Sequence, residues 1–431
     1  MRVLVVGGGG REHALCWRLA RDPKVDRLFA SPGNAGIALE AECAPVSGDD
    51  LEGLVELVER ERIDLTVVGP EGPLVAGLSD ELDARGHAVF GPTQAAARIE
   101  GSKAWAKALM RRAGIPTARS ATFSRSDWQR NRKAVLSFLH EELGGHAVVK
   151  ADGLAAGKGV VVADTATEAV DAVEGCLGGG AFGDAGERVV IEERLSGPEV
   201  SAFALTDGRT VLPLAMAQDF KRVGDGDAGP NTGGMGAFSP VPSAEDAAQR
   251  IHAGILEPAI RTMAAEGVPF RGVLYAGVML TADGPKALEF NCRFGDPETQ
   301  ALMPRLASAP AELLLACARG DLGGSIELRP EACVTVVLAS GGYPGAYDVG
   351  TPISGLAEAG AVEGVTVFHS GTADAQGRVV TAGGRVLSVS AVGASLREAR
   401  DRAYRACARV SFEGMHHRSD VAASAAGEER S

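Results

Sequence analysis

The chain has 431 residues, enough for about three domains at roughly 150 residues each. Lys and Arg number 43 against 56 Asp and Glu, a net charge of −13, so the excess of cations that general nucleic-acid binding needs is absent. Hydrophobic residues make up 45% and charged residues 23%, a globular balance that excludes wholesale disorder, and the abundant glycine (57 residues) is clustered.

In chain order, residues 3–6 read as a buried strand, 7–10 as a glycine turn and 11–21 as a helix that stops at Asp22-Pro23. A strand over 25–30, a helix over 51–61, a strand over 64–68, a helix over 74–85 and a short strand at 87–90 complete an open parallel α/β sheet. Ligands of such a sheet sit beyond the C-terminal strand ends. Ser102 caps a helix from 103 to 113, closed by Gly114 and Pro116. Residues 119–133, polar and basic, read as a linker or surface loop. Strands over 147–150 and 160–163 flank a glycine-rich connection, followed by a helix over 167–177 and a strand over 188–192. A hairpin turns at Asp207-Gly208, and a glycine-rich loop spans 224–236. A helix over about 244–266 precedes strands at 272–280 and 286–291 and helical segments over about 297–320. From Cys333 to about Val421 the pattern is mainly β, with one helix near 395–409, and 422–431 reads as a disordered tail.

No window holds about 18 uninterrupted apolar residues, so no transmembrane helix is expected, and the N-terminus reads as strand–turn–helix rather than a signal peptide. The seven Cys are scattered without a Cys-x-x-Cys pair, which points to a reducing, cytoplasmic setting and to no zinc site.

The turn Gly7-Gly8-Gly9-Gly10-Arg11-Glu12-His13 opens a helix but fails the dinucleotide fingerprint, because Glu12 stands where the third glycine belongs. Free backbone N–H groups at that helix N-terminus suit a phosphate; a plain tight turn is the alternative. Gly153 to Gly159, with Gly157 and Lys158, is one residue short of a P-loop, and Gly159 replaces the required Ser or Thr. It joins two strands, so it reads as a flap whose backbone can approach phosphates, with Lys150 placed to meet a triphosphate. Glu289, Asn291 and Arg293 alternate along one strand face. A carboxylate and an amide oxygen so placed can share a hard cation such as Mg²⁺. Six glycines in Gly224–Gly236, preceded by Asp219, Lys221 and Arg222, suggest a loop that closes over a ligand.

Together the stretches GGGGREHAL, LTVVGPEGPLVAGL, EGSKAWAKALM, VVKADGLAAGKGV, AFGDAGERVVIEERLSGPEVS, QDFKRVGDGDAGPNTGGMGAFSP, LYAGVML and ALEFNCRFGDPETQ resemble the glycinamide ribonucleotide synthetases, the phosphoribosylamine–glycine ligase family of the ATP-grasp superfamily. The resemblance runs from residue 1 to about 421 and implies an α/β fold: an N-terminal α/β domain (1–101), an ATP-grasp domain (102–325) with a mobile lid over about 121–194, and a mainly β C-terminal domain (326–421). It implies ATP-driven ligation of glycine to 5-phosphoribosylamine through glycyl phosphate, a step of purine biosynthesis, with Mg²⁺ or Mn²⁺, small-molecule partners only, and a monomer or weak dimer.

The family's roles fall on matching positions here. Lys103, Lys150 and Lys107 should contact ATP phosphates under the flap of Gly153, Gly157, Lys158 and Gly159. Glu192, Glu193 and Leu195 should meet the adenine, partly through backbone groups, and Glu199 the ribose. Glu289 and Asn291 should hold the metal. Arg293, Asp219, Lys221 and the loop of Asn231, Thr232, Gly233 and Gly234 should surround glycine and its acyl phosphate, while Gly9, Gly10, Arg11, Glu12 and Glu71 approach phosphoribosylamine. Gly8 stands where the family often has Asn, and the C-terminal end keeps only an Arg-x-Asp pattern, Arg418 and Asp420. Other readings are a different ATP-grasp carboxylate–amine ligase, which would share Lys150, the flap and Glu289, and a catalytically dead ATP-binding regulator, which would lack them.

Overall fold

The computed structural model describes residues 1–153, 159–178 and 186–428. Five parallel strands form the N-terminal sheet in the order Glu42–Cys43, Arg27–Pro32, Arg2–Gly7, Leu65–Val68, Val89–Phe90. The central strand is buried on both faces. Val3 and Val5 pack with Leu15 and Leu19, and Leu4 and Val6 with Leu54 and Val58, as strand alternation between two helical layers requires. The single helix expected over 74–85 is instead two, Glu71–Ala76 and Leu78–Ala84, because Gly77 between them adopts φ +99°.

The middle of the chain builds an antiparallel sheet in the order Val211–Pro213, Glu199–Thr206, Gly272–Thr281, Gly284–Asn291. Val200, Ala202, Ala204, Leu274, Ala276, Val278 and Phe290 turn one face into the main core. The register pairs Ser201 with Gly277 and Gly277 with Glu289, and Tyr275 with Asn291, so the other face carries polar groups. A bulge beyond Gly277 leaves Leu288 without a ladder partner.

A second antiparallel sheet, Ser120–Ser124, Arg188–Glu193, Ala147–Ala151, Val160–Ala163, has its own apolar cluster around Trp128, Val135, Leu139, Val149, Val173 and Ile191. Residues 119–133 are therefore not a linker. They supply the edge strand and the helix Arg125–Arg130, started by a reciprocal Ser124–Asp127 cap and anchored by buried Trp128. Polar composition hid one buried ring and one cap.

The last sheet runs Gln218–Asp219, Gly236–Ser239, Ala332–Ala339, Arg385–Gly393, Val365–His369, with the helix Leu396–Cys407 packed on it. Two of these strands come from the middle of the chain, so the sheet is shared between segments. The expected loop over 224–236 contains a hairpin, Arg222–Gly224 against Ala228–Asn231. The expected disordered tail is also corrected: Ala423–Glu428 is a helix that buries Ala425 and Ala426. Among the described residues no helix is long and apolar enough to cross a membrane.

Candidate active site

The polar face of the middle sheet, the second antiparallel sheet (the lid sheet, after the sequence expectation for its segment) and the helix Lys103–Arg112 enclose a cleft of about 470 Å³. Asp152 ties this helix to the lid. Its Oδ1 accepts from Ser102 Oγ (2.9 Å) and Ala104 N (3.1 Å), its Oδ2 from Arg188 Nε (2.8 Å), and Ser102 caps the helix through Trp105 N. Lys103 Nζ donates to Gly153 O at 2.9 Å. Lys107, one turn on along the same helix face, lies 3.1 Å from Glu192 Oε2 and donates to Thr117 Oγ1 at 2.7 Å. Lys150 Nζ lies 3.2 Å from the same Glu192 oxygen and donates to the bulged Leu288 carbonyl at 3.3 Å. Among the described residues Glu192 Oε1 is buried without a hydrogen-bond partner. Burial lowers the Lys103 ammonium and pulls Lys107 from 10.5 down to about 8, partly offset by Glu192.

Across the cleft, Glu289 lies over Gly277, where a Cβ would stand 3.4 Å from its Cγ. Among the described residues it makes no hydrogen bond or ion pair. Burial penalises its charge, yet Lys221, Lys150, Lys103 and Arg293 together hold its carboxyl below the usual range. Among the described residues Asn291 Oδ1 receives only a 3.3 Å contact, from Arg293 Nη2. An ionised, unpartnered carboxylate beside a lightly engaged amide oxygen fits a hard divalent cation that also takes phosphate oxygens. Among the described residues no group of three or more His, Cys, Asp or Glu could hold a metal, so substrate or solvent oxygens would complete such a site.

Arg293 is more restrained than its motif suggested. Nε meets Glu71 Oε2 at 3.0 Å and Nη2 meets Glu100 Oε1 at 2.8 Å, while Glu100 Oε2 accepts from Cys292 N at 2.8 Å. Lys221 pairs with Glu199. Burial pushes the Asp219 carboxyl up against the pull of Lys221, and the Lys221 ammonium, despite burial, is held charged by Asp219 and Glu199. Thr232 and Gly233 reach the same cleft, and Thr232 Oγ1 donates to Lys221 O at 2.9 Å.

The glycine turn differs from its sequence expectation. Gly9 N donates to Glu12 Oε2 (2.7 Å), and Arg11 N points to Asp296 Oδ2 (3.4 Å), so two of the N–H groups expected to be free for phosphate are taken by carboxylates. Glu12 turns inward between Gly7 and Gly69, caps its own helix and pairs with Arg11 Nε at 2.5 Å. Arg11 and Glu71 line the cleft, but Gly9, Gly10 and Glu12 do not. Nor do Glu193, Leu195, Glu199, Asn231 and Gly234: the Glu193 carboxylate accepts from Arg119 N at 2.9 Å, and Asn231 is exposed. Gly153 and Gly159 line the cleft. Gly157 and Lys158 lie outside the described residues.

Sequence reasoning assigned nothing to Glu100, Tyr275, Asp296, Glu298 or Arg385, all of which border the cleft. Tyr275 OH donates to Glu298 Oε1 (2.8 Å), which also takes Ser201 Oγ (3.0 Å), and Arg385 joins Asp296 to Gly233. Glu100 and Glu298 sat inside quoted motifs, but nothing in their spacing announced a partner.

A lid sheet and a core sheet closing on lysines from one side and a strand-borne Glu-x-Asn from the other define an ATP-grasp enzyme. The family models of phosphoribosylglycinamide synthetase match the chain in succession: the N domain over residues 1–100, the ATP-grasp (A) domain over 101–299 and the C domain over 333–424. Phosphoribosylamine–glycine ligase of Vibrio parahaemolyticus is 50% identical over 427 residues, covering 98% of this chain and 97% of that protein. That of Rhizobium meliloti is 51% identical over 423 residues, covering 98% of each. The crystal structure of the Thermotoga maritima phosphoribosylamine–glycine ligase superposes with a TM-score of 0.84 at 34% identity, covering 97% of this chain and all of that one. The biotin carboxylase domain of the Hydrogenobacter thermophilus 2-oxoglutarate carboxylase shares the fold alone, with a TM-score of 0.72 at 16% identity over 96% of this chain and 91% of that one. The chain belongs to the phosphoribosylglycinamide synthetase family.

Proposed function

We propose that this protein joins glycine to 5-phosphoribosylamine with ATP, giving glycinamide ribonucleotide, ADP and phosphate. A glycine carboxylate oxygen attacks the γ-phosphorus and ADP departs, leaving glycyl phosphate. The amine nitrogen of phosphoribosylamine then attacks the glycyl carbonyl carbon, phosphate leaves, and the nitrogen loses a proton. Both steps rest on positioning and charge neutralisation rather than on a side-chain nucleophile.

The observation that carries this reading is Glu289, without a partner among the described residues and facing Lys103, Lys150, Lys221 and Arg293 in a cleft bordered by Gly153, Gly159, Thr232 and Gly233. Lys103, Lys107 and Lys150 hold the phosphates under the flap, and the segment of about 121–194, with its own core, moves as the lid. Glu192, with backbone groups of Glu193 and Leu195, meets the adenine, and Glu199 the ribose. Glu289 and Asn291 would hold Mg²⁺ or Mn²⁺, which neutralises triphosphate charge. Arg293, braced by Glu71 and Glu100, Lys221 and Asp219 surround the glycine and its acyl phosphate. Arg11 and Glu71 border the end where phosphoribosylamine enters. The enzyme works in the cytoplasm, as a monomer or weak dimer.

ADP release from ATP is measured with glycine and freshly made phosphoribosylamine, omitting each in turn. Turnover that needs both supports the reading. Turnover with another carboxylate or amine instead favours a different ATP-grasp ligase, and none at all favours a dead regulator. Lys150→Met should weaken ATP binding and slow turnover; normal activity would remove Lys150 from the site.

A further inference from the structure

The Thr232–Gly234 segment reaches the cleft, but its shape is set from outside the ATP-grasp segment. Gly233 N donates to the Tyr343 hydroxyl at 3.0 Å. Gly233 O accepts from Arg385 Nη1 at 2.5 Å, and the same nitrogen reaches Asp296 O at 2.8 Å and Asp296 Oδ1 at 3.3 Å. The remaining N–H groups of the segment turn inward: Thr232 N to Lys221 O (2.7 Å), Gly234 N to Thr232 Oγ1 (3.0 Å). Tyr343 and Arg385 thus grip both polar groups of one peptide residue. They are also built as a unit. A Cβ at Gly384 would stand 2.3 Å from the Tyr343 ring, so glycine there lets the ring lie beside the start of the Arg385–Gly393 strand. Arg385, Asp296, Thr232 and Gly233 border the cleft together with Lys221, whose carbonyl anchors the segment. None of these contacts reaches Lys103, Lys107 or Glu192.

From this geometry we infer that Tyr343 and Arg385 are positioning residues. They hold the Thr232–Gly234 wall and Asp296 at the spacing that the glycine and amine substrates require, while the ATP end is built independently. The inference rests on the ligase reading. One guanidinium nitrogen, Nη1, reaches two carbonyls and a carboxylate, and the rigid planar end group holds it there in a way that a flexible lysine stem does not.

Steady-state kinetics of Tyr343→Phe, Arg385→Lys and the double variant test it. Tyr343→Phe keeps the ring and removes one acceptor. It should raise the KM for glycine or for phosphoribosylamine about three- to tenfold, with the KM for ATP and the melting temperature unchanged. Arg385→Lys should lower kcat/KM for the same substrate by at least tenfold. The double variant should lose less than the product of the two single losses, because both residues act through Gly233. Wild-type protein that makes no glycinamide ribonucleotide would overturn the ligase reading itself. An active wild type overturns only the positioning role if both single variants keep wild-type KM values for glycine and the amine, if the KM for ATP rises equally, or if the two losses multiply. Should Arg385→Lys fail to fold, the Tyr343→Phe pattern alone decides.

Discussion

The Lys107 ammonium lies 3.1 Å from Glu192 Oε2, and both side chains are only 2% exposed. Lys150 approaches the same oxygen at 3.2 Å, so one carboxylate joins the helix Lys103–Arg112 to the lid sheet. Lys107→Met keeps the apolar stem but leaves Glu192 with a single cation. Stability should fall by roughly 1–3 kcal/mol in urea unfolding, the cost of under-satisfying a buried charge, and ATP affinity should fall with it. Adding Glu192→Gln should not recover the stability, because it leaves the buried Lys150 ammonium without its carboxylate. Stability unchanged in Lys107→Met would show that the pair is not coupled to the fold.

Glu289→Gln should lower turnover by about a hundredfold, or about 3 kcal/mol of transition-state stabilisation, and raise the Mg²⁺ concentration needed for half-maximal rate. The four surrounding cations decide the sign of its effect on stability. A carboxyl held below the usual range stabilises the fold in its charged form, so that contribution is present above about pH 4.5 and is lost as pH falls through the lowered value. The neutral variant should therefore melt lower than the wild type without ligand near neutral pH. A higher melting temperature would mean that the cations do not face Glu289 as described.

His13 and His369 meet where the N-terminal helix packs on the C-terminal sheet, with His369 N donating to His13 Nδ1 at 2.7 Å. Burial, then the neighbouring His369, lowers His13 from 6.5 to about 3, and burial lowers His369 to about 4. The unfolded chain takes up these protons first. The stability conferred by the neutral rings is complete above pH 6.5 and is lost progressively as pH falls toward 4 and then 3. His13→Gln, which retains an acceptor, should lose less stability between pH 6.5 and 4.5 than the wild type does. The two slopes should differ by up to about 1.4 kcal/mol per pH unit, for the single missing proton. Coincident slopes would place His13 outside the acid response.

Arg418 is 1% exposed and meets Asp227 and Asp420 at 2.7 Å each, Arg222 O at 3.1 Å and the Phe220 ring at 4.8 Å. It fastens the Arg222–Asn231 hairpin to the C-terminal segment. Arg418→Ala should cost roughly 2–3 kcal/mol and open the hairpin to limited proteolysis between residues 224 and 231. Cleavage no faster than in the wild type would separate Arg418 from hairpin order. This contact also answers what the altered C-terminal end retains: its Arg-x-Asp pattern is a structural clamp.

Local order was legible in the sequence. The buried strands expected over 3–6 and 64–68, the Ser102 cap and the period-2 alternation of Glu289 and Asn291 each depend on residues a few positions apart, and backbone geometry alone dictates them. The long quoted motifs were specific enough to name the family. The tertiary structure decided which charges meet. Nothing local pairs Arg293 with Glu100, 193 positions away, joins Arg385 to Gly233 across 152, or turns Glu12 inward to cap its own helix instead of outward to a substrate. It also made a strand and a helix of the polar segment 119–133 and a packed helix of the small-residue tail, because burial of Trp128, Ala425 and Ala426 depends on surfaces supplied from elsewhere in the chain. Local propensity reports the backbone's own preferences. Ion pairs and buried faces are properties of two surfaces at once, and only the folded chain brings both together.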